Sequence, residues 1–140
     1  MGYTHYFTLS KNTTKEQIKK MIAFTNTAIK LFGDDQIVNG MGDEGTKPEV
    51  TEDIISLNGK EDNSHETFQL SFNSGEWGFC KTARKPYDMV VVACLIFAEQ
   101  NNVIKEWSSD GDDEDHEYGK ALFEKANTLE LSQNKAIESN

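Results

Sequence analysis

Arginine is almost missing from this 140-residue chain, which has one, Arg84. Prolines number two, Pro48 and Pro86, and cysteines two, Cys80 and Cys94. Cations are outnumbered: 14 Lys and Arg stand against 24 Asp and Glu, for a formal net charge of -10. A field of that sign repels polyanions, which argues against nonspecific binding to a nucleic acid polymer or an anionic membrane. No apolar run approaches the roughly 18 residues of a membrane-spanning helix. The opening Met1-Gly2-Tyr3-Thr4-His5-Tyr6 has neither the basic stretch nor the apolar stretch of a signal peptide, so a cytoplasmic protein is expected. Neither cysteine belongs to a CxxC pair, and both lie in apolar surroundings, so free buried thiols are expected rather than zinc or a disulfide. P-loop, GxGxxG, HExxH and nucleophile-elbow patterns are absent, and no cofactor or metal is expected.

What is present reads as one α+β domain over residues 1–128, followed by a polar C-terminal tail over 129–140. Tyr3, His5, Phe7 and Leu9 alternate with Thr4, Tyr6 and Thr8, the period of a strand. Thr13 and Glu16 form a capping box for an amphipathic helix over 14–32, which Gly33 ends. Residues 33–52, rich in Gly, Asp and Glu, read as a long mobile loop with a short strand near Ile37-Val38. A meander follows, with strands over 53–58, 66–72 and 77–82, in which Trp77 and Phe79 read as core. Pro86 opens an apolar helix to about Asn101. A last strand over 103–108, an acidic turn and a helix over 114–127 close the chain, with Tyr118, Leu122 and Ala126 inward. The order β-α-β-β-β-α-β-α predicts a mainly antiparallel sheet of about five strands with two to three helices packed on it.

The residues that carry chemistry concentrate before the apolar helix. Lys81, Arg84 and Lys85 lie within five positions of one another in a strongly acidic chain. Proline at the first helical position would leave the amides of Tyr87 and Asp88 free at the positive end of the helix dipole, an arrangement suited to an anion. Arg84 is the candidate for bidentate phosphate contact, with Lys81, Thr82 and Lys85 beside it. Asp88 would cap the helix or accept a ligand hydroxyl or base N–H. Tyr3, Tyr6 and Tyr87 offer flat faces for a base, and Tyr3 and Tyr6 face opposite sides of their strand. His5 and His65 are the acid–base candidates if the protein is an enzyme. The run Asp110-Gly111-Asp112-Asp113-Glu114-Asp115 fails the EF-hand spacing; Ser109 or Asp110 would cap the last helix, and Asp110 could bind ribose hydroxyls.

Four segments carry a resemblance: Met1-Gly2-Tyr3-Thr4-His5-Tyr6-Phe7, His65-Glu66-Thr67-Phe68, Phe79-Cys80-Lys81-Thr82-Ala83-Arg84-Lys85-Pro86-Tyr87-Asp88, and Ser108-Ser109-Asp110-Gly111-Asp112. With them the chain resembles a family of small proteins of phages, prophages and many bacteria. That family usually has an aromatic residue where Asp113 stands here. The resemblance implies a phage-type protein working in the host cytoplasm, with polar signature residues that suit a ligand site. The expectation is a module that sequesters a small anionic nucleotide-type signal, such as a cyclic dinucleotide or a cyclic ADP-ribose variant, and so counters host defence without chemistry. A metal-independent nucleotide phosphodiesterase or hydrolase is the alternative, and an acidic mimic inhibiting a host nucleic-acid enzyme is a third. A homodimer is a further expectation: the 33–52 loop would serve as a lid or reach a second copy, placing Met41 and Asp43 against ligand or partner.

Overall fold

The computed structural model describes residues 3–138, with side chains described through Gln133. Its elements run β1 (Thr4–Leu9), α1 (Lys15–Phe32), β2 (Ile37–Val38), β3 (Glu49–Val50), β4 (Ile54–Gly59), β5 (Phe68–Ser71), β6 (Trp77–Lys81), α2 (Asp88–Gln100), β7 (Ile104–Ser109) and α3 (Glu117–Glu138). The class is α+β and every strand pairing is antiparallel, as the pattern predicts. The strands form two sheets rather than one. One has the order β6-β1-β7; in the other, β4 pairs with β2, β3 and β5.

Alternation makes β1 the hub of the first sheet. Tyr3, His5, Phe7 and Leu9 are all buried, and Tyr6 and Thr8 lie on the outer face. On β6 the inward positions are Gly78 and Cys80, opposite Phe7 and His5. A Cβ on Gly78 would come within 2.8 Å of the Phe7 ring, so only glycine fits there. The aromatics at the intervening positions therefore point outward: Trp77 is 60% and Phe79 46% exposed, contrary to the core assignment.

Helix α2 is buried on nearly all sides, from Val90 to Ala98 apart from half-buried Ile96. It is packed between the first sheet and helices α1 and α3. Phe24 of α1 stacks on Phe97 of α2 at 4.2 Å between ring centroids. One apolar cluster includes residues of both sheets and all three helices, which makes a single core.

Several boundaries differ from expectation for local reasons. The cap of α1 is Thr14 with Gln17, not Thr13 with Glu16, because Thr13 Oγ1 donates to the Asn102 carbonyl at 2.7 Å. Pro86 lies in a turn, and α2 begins two residues later at Asp88. The 129–140 segment is helical as far as Glu138, continuing α3, while residues 139–140 lie outside the described residues. Tyr118 is 72% exposed, and Gly119 takes the inward place instead.

The 33–52 segment is not a free lid. The Gly40 carbonyl accepts hydrogen bonds from Asn58 Nδ2 at 3.0 Å and Thr67 Oγ1 at 2.5 Å. Asn39 Oδ1 accepts from the backbone amides of Met41 and Asp43, both at 3.1 Å. Polar side chains of the strand region thus satisfy the loop backbone and hold it on its own chain.

Candidate functional site

The connection from β6 to α2 is the least ordinary stretch of backbone in the protein. Ala83 and Arg84 both adopt positive φ, 52° and 56°, and the Lys85 N–H donates to the Thr82 carbonyl at 2.9 Å. Two successive residues of that hand are the mark of a type I′ turn, which favours Asn and Gly. Ala and Arg there cost about 1–3 kcal/mol each. The reversal brings Thr82 next to the start of α2 and projects Arg84 outward.

Asp88, the first residue of α2, is the centre of the polar contacts. Its Oδ1 lies 2.6 Å from His5 Nε2 and accepts from Thr82 Oγ1 at 2.7 Å; its Oδ2 accepts from Tyr3 OH at 3.4 Å. The carboxylate stands where the helix dipole favours negative charge. The first-turn amides are also occupied: Asp88 N–H donates to Lys85 O and Met89 N–H to Pro86 O. The expected anion position at the helix start is therefore filled by the protein's own Asp88. Burial and the adjacent Asp88 carboxylate push the Tyr3 phenol well above its ordinary range.

A second histidine, His116, lies beside the first. The rings of His5 and His116 are 5.7 Å apart, and Trp107 packs against both at 6.0 Å and 5.3 Å. His116 Nε2 is 3.1 Å from Ser109 Oγ. Burial, and then the neighbouring His5, lower the His116 pKa from its usual value. His5 is wholly enclosed, and its Nδ1 is a buried polar atom with no partner among the described residues.

Outside this buried group lies a cleft of about 480 Å³ between the turn and the start of α3, lined in part by Tyr3, Arg84, Lys85, Asp88, Asp115 and Tyr118. The Arg84 guanidinium sits over the Tyr3 ring, 4.2 Å from its centroid. Its Nε is 3.3 Å from Asp115 Oδ1, and that bond raises the Arg84 pKa further. The Asp112 N–H and, after it, Arg84 hold the Asp115 carboxyl below the usual range. A larger hollow of about 640 Å³ lies between the helices, lined in part by Glu16, Lys19, Lys20 and Asn127, and contains none of the candidate ligand-binding residues.

The structure thus brings together Tyr3, His5, Thr82, Arg84, Lys85 and Asp88. Ser109 joins them through His116, and the remaining candidates lie elsewhere. Tyr87 is a core residue, 1% exposed, whose OH donates to the Glu66 carbonyl at 2.6 Å; burial pushes its phenol far up. Tyr6 stacks with Trp77 on the outer sheet face. Lys81 is exposed on that same face, opposite Thr4. His65 is exposed, and its backbone pairs with the Asn58 side chain, not with His5. Ser109 and Asp110 do not cap α3: Ser109 Oγ accepts from Gly111 N–H, and Asp110 Oδ2 accepts from Thr4 N–H at 3.1 Å. Met41 and Asp43 do not line the cleft. Cys80 and Cys94 are buried and unlinked, and burial pushes both thiols up to about 12. His116 was not anticipated. No family model, no curated protein and no solved structure matches this chain.

Proposed function

We propose that the protein is a binding module that holds a small nucleotide-type ligand in the cleft between the Thr82–Lys85 turn and the start of α3. The observation that supports this most is the state of Arg84. A strained turn displays it, the Tyr3 ring supports its plane, and only Nε is bonded, to Asp115. The terminal nitrogens have no hydrogen-bond partner among the described residues. A guanidinium ordered in this way loses little more freedom on accepting a phosphate through two parallel N–H bonds. Lys85 adds a second cation to the cleft, and Asp115, Glu114 and Glu117 offer acceptors for ribose hydroxyls or a base amino group. The volume is within the usual range for small-molecule sites, about 300–1,000 Å³.

Binding without turnover suits this geometry, since the imidazole of His5 is wholly enclosed and out of a ligand's reach. The phage-type motifs direct the ligand class to nucleotide immune signals, cyclic dinucleotides or cyclic ADP-ribose variants, sequestered in the host cytoplasm. The test is calorimetry against a panel of such compounds, followed by heating and chromatography of what is released. One compound should bind and return intact, and Arg84→Ala should weaken it at least about tenfold with an unchanged circular dichroism spectrum. Failure of the whole panel, or normal binding by Arg84→Ala, overturns the reading. Return of a cleaved product makes the protein a hydrolase instead.

A further inference from the structure

Among the described residues no helix or strand covers the outer face of the β6-β1-β7 sheet at Tyr6, Trp77 and Phe79, which form a continuous aromatic stripe. Tyr6 and Trp77 stack at 6.1 Å, and Trp77 and Phe79 lie 5.3 Å apart. This face is on the far side of the sheet from His5 and Asp88, so it is independent of the cleft. Exposed tryptophan and phenylalanine grouped together mark an interaction surface.

The strand register arranges the face in three levels across β1. At Thr4, β6 supplies Lys81, and on the other side stands Asp110, the residue after β7, whose N–H donates to the Thr4 carbonyl at 2.9 Å and whose Oδ2 accepts from Thr4 N–H and Tyr6 OH. At Tyr6, β6 supplies Phe79 and β7 supplies Ser108. At Thr8, β6 supplies Trp77 and β7 supplies Glu106. One flank is thus cationic and bulky, and the other is anionic and mostly small. A two-fold axis running parallel to β1 exchanges the flanks. It lays Lys81 on the other copy's Asp110, Phe79 over Ser108, and Trp77 over the stem of Glu106, each twice. Sheets packed face to face keep their strands within about 30° of one another, so the levels remain matched.

We propose that this face is a self-complementary interface on which a second copy of the chain packs, sheet on sheet, about a two-fold axis parallel to β1. A closed dimer of this kind is isologous, as the exchange of flanks requires. The other obvious occupant of an aromatic sheet face is a single-stranded nucleic acid. The net charge of -10, with Lys81 the one cation among the outward positions of the three levels, disfavours it.

The experiment is sedimentation of the full chain across a wide concentration range, with circular dichroism melting as a fold control. Wild type should form a dimer. Trp77→Glu should raise the dimer dissociation constant at least about tenfold, as loss of a buried tryptophan anchor does. Ser108→Phe places two phenylalanines on each other and should also break the dimer, and adding Phe79→Ser should restore it. A wild type that stays monomeric, or a dimer indifferent to Trp77→Glu, overturns the interface. A double variant that fails to recover while keeping its fold overturns the axis. Quenching of Trp77 fluorescence by an oligonucleotide, on a monomeric protein, overturns the proposal in favour of base stacking.

Discussion

His5 Nε2 lies 2.6 Å from Asp88 Oδ1, so the middle strand of one sheet is fastened to the first residue of the buried helix by a single polar contact. The two residues are 83 positions apart in the chain. The same carboxylate also accepts from Thr82 Oγ1, just before the turn that displays Arg84, and from Tyr3 OH, so all three residues depend on it for hydrogen bonds.

Replacing Asp88 by Asn tests that dependence. The amide keeps the volume and one acceptor, but the group then receives three donors, from His5, Thr82 and Tyr3, with only one oxygen. A buried donor left unpaired costs about 1–3 kcal/mol. Asp88→Asn should lower unfolding stability by that amount in urea titration, with an unchanged slope. Stability equal to wild type would show that the three contacts add nothing net.

The strand β1, the buried α2 and the antiparallel class are legible in the sequence because period, apolarity and element order point to them. The basic segment stands out in the sequence because three cations lie close together in an acidic chain. What escapes is decided by tertiary contacts. Pro86 at a helix start is good local chemistry, yet the positive-φ turn at Ala83-Arg84 delays the helix to Asp88, and no residue type there announces it. The fate of Trp77 and Phe79 depended on which parity of β6 faces inward; Gly78, too close to Phe7 for any side chain, was the available sign. His116 directly follows the acidic run, which hides it in the sequence. It in fact starts the buried stripe His116, Gly119, Leu122, Ala126, which competes with Tyr118, Leu122, Ala126 on the same helix. The 33–52 segment reads as a mobile loop because its anchors, Asn58 and Thr67, lie outside it in the chain.

His116 should make the fold acid-sensitive. Its folded pKa is depressed below the ordinary 6.5, first by burial and then by His5, so the folded state favours the neutral ring. As pH falls through 6.5 the unfolded chain takes up a proton that the folded chain resists. Stability is therefore full above that pH and declines below it until the lowered folded pKa is reached. Thermal melts of wild type and His116→Gln between pH 5 and 8 measure the difference. The gap between them should shift in favour of the variant as pH drops below about 6.5. A constant gap across the range would mean that His116 titrates alike in both states.

Gly119 offers the sharpest check on how α3 seats against α2. An alanine in a helix interior ordinarily stabilises by about 1 kcal/mol over glycine. Here the added Cβ would stand 2.5 Å from both Cβ and Cγ1 of Val92, a side chain buried on the most enclosed helix. Val92 cannot rotate both atoms away, since one of them is its own Cβ, so the helices must move apart. Overpacking of that kind costs about 1–3 kcal/mol, which exceeds the propensity gain or offsets it entirely. Gly119→Ala should therefore be neutral to destabilising, never stabilising. Val92→Gly removes both atoms, so the double variant should be more stable than the sum of the two single effects. Chemical denaturation of all four proteins gives the coupling directly. Additive effects, or a stabilised Gly119→Ala, would show that α3 does not press on Val92.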